Sequence, residues 1–262
     1  MPGAVELMVV DGLPEIEPGA DLAALIAARL AARGLEPRER DVLVVAQKIV
    51  SKAEGRFVEL ASVVPSEEAE RLARITRKDP RIVEIILRET QEIVRAAPNV
   101  LIVRHRLGFV TANAGVDRSN VPRARAPDAP ARHAEQALLL PSDPNASAAR
   151  LRGSLLERFG VPLAVIISDS FGRPWRRGVV NVALGSAGLP ALIDRRGERD
   201  RSGRALEVTE VAFADAIAAA AGLLIGEAAE STPAVLARGL TWSAPERDAR
   251  ALLRPKEEDL FR

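Results

Sequence analysis

Apolar and polar positions divide this chain into short runs of differing period. An apolar run over 7–10 stops at Asp11, Gly12, Leu13 and Pro14, which predicts a strand ending in a turn. Asp21 stands where an N-cap is needed, ahead of an Ala/Leu-rich stretch that predicts a helix to about Ala32, with Gly34 as its stop. Val42, Leu43, Val44 and Val45 form an uninterrupted apolar run suited to a buried strand, which delivers Gln47, Lys48, Ser51 and Lys52. Helical apolar spacing covers 67–75 and 82–95, with Pro80 between them. A further strand is expected over 100–103, then Phe109, Val110 and Thr111 lead into the turn-rich stretch from Asn113 to Asp117.

The Pro-, Ala- and Arg-rich residues 122–130 read as a surface excursion, followed by a short strand over 138–140. Ser142, Asp143 and Pro144 form a capped entry into a helix that ends near Gly160. The apolar run 163–167 predicts a buried strand that ends abruptly in Ser168, Asp169 and Ser170, and an Ala-rich helix is expected over 208–224, stopped near Gly226. Strands and helices alternate irregularly, so the expected class is α+β, a mixed sheet with packed helices. No repeat, low-complexity tract or linker interrupts the chain, whose length suits one large domain or two small intertwined ones.

Composition narrows the function classes. With 262 residues, 47% hydrophobic and 28% charged, the chain can bury a substantial core. A formal net charge of +1 gives no nucleic-acid footprint, and the absence of Cys leaves no disulfide framework. The first residues lack the basic flank and apolar run of a signal peptide, and the apolar stretches are too short to span a bilayer. A cytoplasmic protein with neither nucleic acid nor membrane among its partners is expected. The abundant arginines supply forked donors for carboxylate and phosphate.

Neither a Walker-type phosphate loop nor a dinucleotide fingerprint is present, so any nucleotide must be held otherwise. Asp117, in a Gly-containing turn, can approach a hard cation, and Asn120 can bond a base, ribose or phosphate; an Asx-turn is the alternative reading. Ser168, Asp169 and Ser170 present oxygen donors at an expected strand end, with Arg173, Arg176 and Arg177 beyond. A self-capped acidic turn with solvated arginines is the alternative there. Glu227 follows a helix C-terminus, where a cation is favoured, although such a Glu is more often merely solvated. Lys52 follows a buried strand and can neutralise phosphate, unless it is an ordinary surface lysine. His105 and His133 are too few for a zinc site, and His105, between arginines, reads as neutral and structural. No serine has a visible His–Asp partner set, which argues against a hydrolase triad.

Taken together, these segments resemble the coenzyme F-420:L-glutamate ligase family. The matching residues, in order, are Gly12 to Ile16, Gln47 to Arg56, Asn113 to Asp117 with Ser119 and Asn120, Leu140 and Pro141 with Asp143 and Pro144, Ser168 to Arg173, Val208 to Ala212, and Gly226 with Glu227. The resemblance implies that Leu13, Pro14, Glu15, Ile16, Gln47, Lys48, Lys52 and Asn120 hold GTP. It extends the GTP contacts to Ile225, Gly226, Glu227, Ala228, Ala229, Glu230, Ser231 and Thr232. It also implies that Asp117, Asp169, Ser170 and Glu227 coordinate two divalent cations, Mg²⁺ or Mn²⁺, with K⁺ as a further candidate. Some relatives carry Ser in place of Gln47 and Thr in place of Ser170, and some carry Lys in place of Glu227.

What the resemblance implies for the whole molecule is an intertwined homodimer, with a ligase domain over 1–242 and a C-terminal extension of it over 243–262. The implied reaction joins L-glutamate to the coenzyme's carboxylate through an acyl phosphate, with GTP cleaved to GDP. No residue identifies itself as a general base. Two alternatives stand beside it: a related metal- and GTP-dependent acid–amine ligase acting on another carboxylate, and a nucleotide-binding module without catalysis.

Overall fold

A computed structural model describes residues 3–118 and 135–259 of the chain, which divides into two compact units. The first contains residues up to Ala53 and from Ser142 onward; the second runs from Glu54 to Pro141.

The first unit is built on a five-stranded mixed sheet. Its strands are β1 (Glu6–Val9), β2 (Val42–Ala46), β8 (Ala164–Arg173), β9 (Arg176–Ala187) and β12 (Ala234–Arg238), in the order β1-β12-β2-β8-β9. Only β2 and β8 run parallel; the other pairs are antiparallel. Alternation along β2 explains why its sequence shows no polar positions. Leu43 and Val45 face a core shared with α1 (Leu22–Ala32) and α5 (Pro144–Phe159), while Val42 and Val44 face α6 (Phe213–Ile225). Both faces are covered, so both sets of side chains are apolar. The caps read from sequence are present: Asp21 accepts from Ala24 N at 2.9 Å, Asp143 accepts from Ala146 N at 3.0 Å, and Gly160 closes α5 with a left-handed φ. Each such N-cap is worth about 1 kcal/mol.

The residues beyond 242 belong to this unit. Asn145 Oδ1 accepts from Ser186 N and from Ala249 N, both at 3.0 Å, which ties the C-terminal segment to α5 and β9.

The second unit combines β3 (Phe57–Glu59) paired with β7 (Gln136–Leu138), helices α3 (Glu67–Thr76) and α4 (Pro80–Arg88), and a sheet of β4 (Thr90–Ala97), β5 (Val100–His105) and β6 (Val110–Ala112). Leu72, Val83, Ile86, Leu101 and Val103 lie at the centre of its core.

Five expectations are corrected. The helix expected over 82–95 stops at Arg88: the Thr90 hydroxyl bonds back to Ile86 O at 2.6 Å, and the chain then pairs with β5. Pro80 opens α4 as its first residue, behind the Asp79 cap, instead of lying in a break. The strand expected over 138–140 lies two residues earlier, at Gln136–Leu138, where β3 sets its register. The helix expected over 208–224 begins only at Phe213, because Glu210–Ala212 forms β11, paired with β10 (Leu192–Asp194). Most consequentially, β8 does not stop at Ser168 but runs to Arg173, because β9 supplies a partner for its whole length.

Candidate functional site

In the first unit, β2 and β8 present their carboxyl ends together. The β2–β8 ladder finishes with Ala46 opposite Ser168, and α2 (Gln47–Ala53) starts at once from β2 and packs beside β8. Among the described residues, β8 continues past that point with β9 alone as its strand partner. Asp169 and Ser170 therefore lie on a two-stranded arm beyond the end of β2, at the kind of edge where open α/β sheets place ligands.

The pleat of the arm then separates the expected metal ligands. Val165 and Ile167 face the α1–α5 core, while Ala164 and Ile166 face the α6 core. Alternation puts Asp169 on the first face and Ser168 and Ser170 on the second. Asn181 of β9 is the register partner of Ser170 and shares its face. Ser168 Oγ donates to Asn181 Oδ1 at 3.2 Å, and Asn181 Nδ2 donates to Glu227 Oε1 at 3.3 Å. Ser168, Asn181 and Glu227 are thus linked in series, with Ser170 opposite Asn181 in the register and Asp169 on the other face of the strand. Asn181 was not singled out from the sequence. Its signal was a polar residue flanked by Val179, Val180, Val182 and Ala183.

Beyond α6, the segment 225–232 satisfies itself. The Thr232 hydroxyl donates its one proton to the carbonyl of Leu224 at 2.5 Å, with the carbonyl of Ile225 also in reach at 3.1 Å, and so caps the helix end. Glu230 accepts from Ala228 N at 2.8 Å, and backbone N–H donation, first from its own amide, holds its carboxyl below the ordinary range. Gly226 has φ +75°, and a side chain there would collide with Glu230.

Among the residues expected to hold nucleotide, Ile16 is buried and Leu13 packs against the same core, which leaves Pro14 and Glu15 projecting outward. The Lys52 ammonium, on a side chain only 8% exposed, pairs with the far more exposed Glu15 carboxylate. Gln47 is buried and its Oε1 accepts from Ser51 Oγ at 2.8 Å, while Lys48 is half-buried. Of the arginines, Arg173 turns back to Arg177 O at 3.1 Å, and Arg176 and Arg177 are exposed.

Asp117 belongs to the second unit, so the expected metal ligands are divided between units. Its backbone forms an isolated bridge with Leu138 (N···O 3.0 and 2.8 Å). Three left-handed residues precede it, Asn113, Ala114 and Gly115, with φ of +54°, +52° and +66°. For the two that are not glycine this conformation costs roughly 1–2 kcal/mol each. At Gly115 a Cβ would also lie 2.6 Å from Leu140 Cδ1. Asn120 and His133, with the excursion 122–130, lie outside the described residues.

The most strongly shifted buried carboxylate lies elsewhere in the second unit. Burial pushes the Glu89 carboxyl up, but hydrogen bonding to His105 and Arg106 outweighs it and brings it down to about 2. Arg106 Nε is 2.7 Å away, His105 Nε2 3.3 Å and Arg56 Nη2 3.7 Å. His105 is fully buried, stacks on Phe109 at 5.0 Å and accepts from Leu107 N at 2.9 Å, the structural role expected of it.

Among the described residues, no three His, Cys, Asp or Glu side chains converge as a metal cluster, and no helix is long and apolar enough to cross a membrane. A family model described as F420-0:Gamma-glutamyl ligase matches residues 12–239. A protein of Methanopyrus kandleri called coenzyme F420:L-glutamate ligase is 45% identical over 268 residues, covering 99% of this chain and 100% of its own. Its namesake in Methanothermobacter thermautotrophicus is 45% identical over 260 residues, covering 98% and 99%. A third, from Natronomonas pharaonis, is 46% identical over 261 residues, covering 97% and 93%. With a matching family model across most of its length and relatives this similar from end to end, the chain belongs to the F420-0:gamma-glutamyl ligase family.

Proposed function

We propose that this chain joins L-glutamate to the terminal carboxylate of coenzyme F-420, driven by cleavage of GTP to GDP and phosphate. The observation that carries the reading is the end-to-end similarity to relatives named coenzyme F420:L-glutamate ligase.

In neutral water the carboxylate and the amine are both charged and well solvated, so the carboxylate must be activated. One of its oxygens attacks the γ-phosphorus, the bond to the bridging oxygen breaks, and GDP leaves. The glutamate nitrogen then attacks the acyl carbon. Phosphate departs with the former carboxylate oxygen, and the amine gives up its extra protons to solvent.

The donors in the first unit suit this use. Oxygen ligands fit Mg²⁺ or Mn²⁺, which keep several waters and take one or two carboxylates plus substrate phosphates, so a large acidic cluster is not required. Asp169, Ser170 and Glu227 of this unit would hold divalent cations, with K⁺ as a candidate monovalent ion. When bound, divalent cations offset charge on the transferring phosphoryl group. Lys52 would meet the phosphates as Glu15 yields its ammonium, and the outward-facing Pro14 and Glu15 would border the nucleotide. A homodimer is part of this reading.

The test places oxygen-18 in the coenzyme's terminal carboxylate and analyses amide product and phosphate by mass spectrometry. One labelled oxygen in each released phosphate, with GDP formed in step with amide, is expected. Amide with unlabelled phosphate would reject the acyl phosphate. GTP cleavage that responds to neither glutamate nor coenzyme, without amide, would reject the ligase reading.

A further inference from the structure

Asn181 is a buried amide in an apolar strand, and its surroundings leave it little freedom. It is 6% exposed, and Gly222 of α6 makes room for it: a Cβ at 222 would come within 2.7 Å of Asn181 Nδ2 and 3.1 Å of its Cβ. Gly222 is a helix-interior glycine, which costs about 1 kcal/mol relative to alanine, and the close approach of the carboxamide accounts for it.

The two ends of the carboxamide do different work. A carboxylate can only accept, so the nitrogen must face Glu227, and the oxygen is left to accept from Ser168. Ser168 is itself 1% exposed, so the anchored end is dry. The other end reaches a Glu227 that is largely solvent-facing and stands at the end of a helix. A carboxylate in that position has many rotamers, and a fixed donor reduces them.

We propose that Asn181 is a positioning residue for the phosphoryl-transfer site. Held by Ser168 and seated against Gly222, it donates to Glu227 and fixes which carboxylate oxygen is turned toward the cation. This rests on the reading of Glu227 as a metal ligand given above. The arrangement has the logic of an outer partner that orients a ligand without touching the ion, and losing such partners commonly weakens metal affinity by about 10- to 100-fold.

The experiment is a double-mutant cycle on the full chain, read as Mn²⁺ affinity by electron paramagnetic resonance, with thermal melting in parallel. Asn181→Ala should weaken Mn²⁺ binding about tenfold. In a Glu227→Gln background the same change should add less than about twofold, because the group it orients is already altered. A residue that only fills space beside Gly222 would lower the melting temperature in both backgrounds and leave Mn²⁺ affinity alone. Should Asn181→Ala fail to fold, Ser168→Ala loosens the same carboxamide and should show the same dependence on Glu227 at smaller size. A Glu227→Gln loss with a flat or fully additive Asn181→Ala overturns the positioning role and leaves the metal reading standing. A flat Glu227→Gln removes Glu227 from the metal site, and the proposal falls with it.

Discussion

Two buried polar clusters in this chain are built to opposite ends. Around Glu89, in the second unit, one carboxylate meets Arg106, His105 and Arg56, and Glu89 and His105 are both buried. Around Asn181, in the first, the inner members are neutral, their hydrogen bonds are 3.2 and 3.3 Å, and the series ends on an exposed carboxylate. The first cluster spends its acceptor capacity internally and holds a fold together. The second leaves oxygen lone pairs facing outward, which is what a ligand site requires. Glu89 and the exposed Asp194, the latter through Arg196, both come down to about 2, so a perturbed titration does not by itself mark a functional centre.

The largest expected effect tests the structural half of this contrast. Glu89→Gln should destabilise the protein by about 2 kcal/mol, since it removes the charge that accepts from Arg106 at 2.7 Å within a largely buried group, and should leave Mn²⁺ affinity unchanged. The sign with pH follows from the depressed folded value. Above the ordinary glutamate range, near 4.5, the stabilisation is fully present, and it is lost as pH falls toward 2. Urea midpoints between pH 6 and 2.5 should fall more steeply for the wild type than for Glu89→Gln. Equal slopes would place the acid sensitivity elsewhere.

Asp169→Asn should do the reverse. It removes charge but not volume from the arm beyond β2, so Mn²⁺ affinity should drop at least about tenfold while the melting temperature barely moves. Calorimetric titration of the folded variant decides it, and wild-type affinity would remove Asp169 from the metal set.

The smallest effect is expected at Lys52, whose ammonium pairs with the exposed Glu15 carboxylate. Lys52→Ala should weaken GTP by about tenfold and GDP by less, as expected of an ammonium that meets the γ-phosphate. Equal losses for the two nucleotides would move it toward the β-phosphate.

Legibility from the sequence followed locality. Asp21, Asp143 and Gly160 could be assigned as caps because their partners lie within a turn, and the run 42–45 because burial on both faces leaves an uninterrupted apolar signature. The extension of β8 through Ser168 to Arg173 could not be read, since polar residues mimic a stop and the pairing depends on a strand that follows. β12 was missed for a related reason: its pairing partners, β1 and β2, lie far away in sequence. The family residues were legible as an ordered set. Which of Asp169 and Ser170 faces which side was not, because that depends on the pleat of an unanticipated arm.

The strand order carries a consequence for synthesis. β12, from Ala234, lies between β1 and β2, which are made near the start. While the chain emerges, β1 has no sheet neighbour, and one edge of the very apolar β2 stays open until Ala234–Arg238 is made. β2 also waits for β8, which follows the whole of the second unit. Nascent chains of this protein therefore hold an unpaired Val-rich strand for most of translation, a state prone to misassociation. A chain cut before Ala164 leaves β2 without either neighbour, and one cut before Ala234 leaves β1 unpaired and one edge of β2 open.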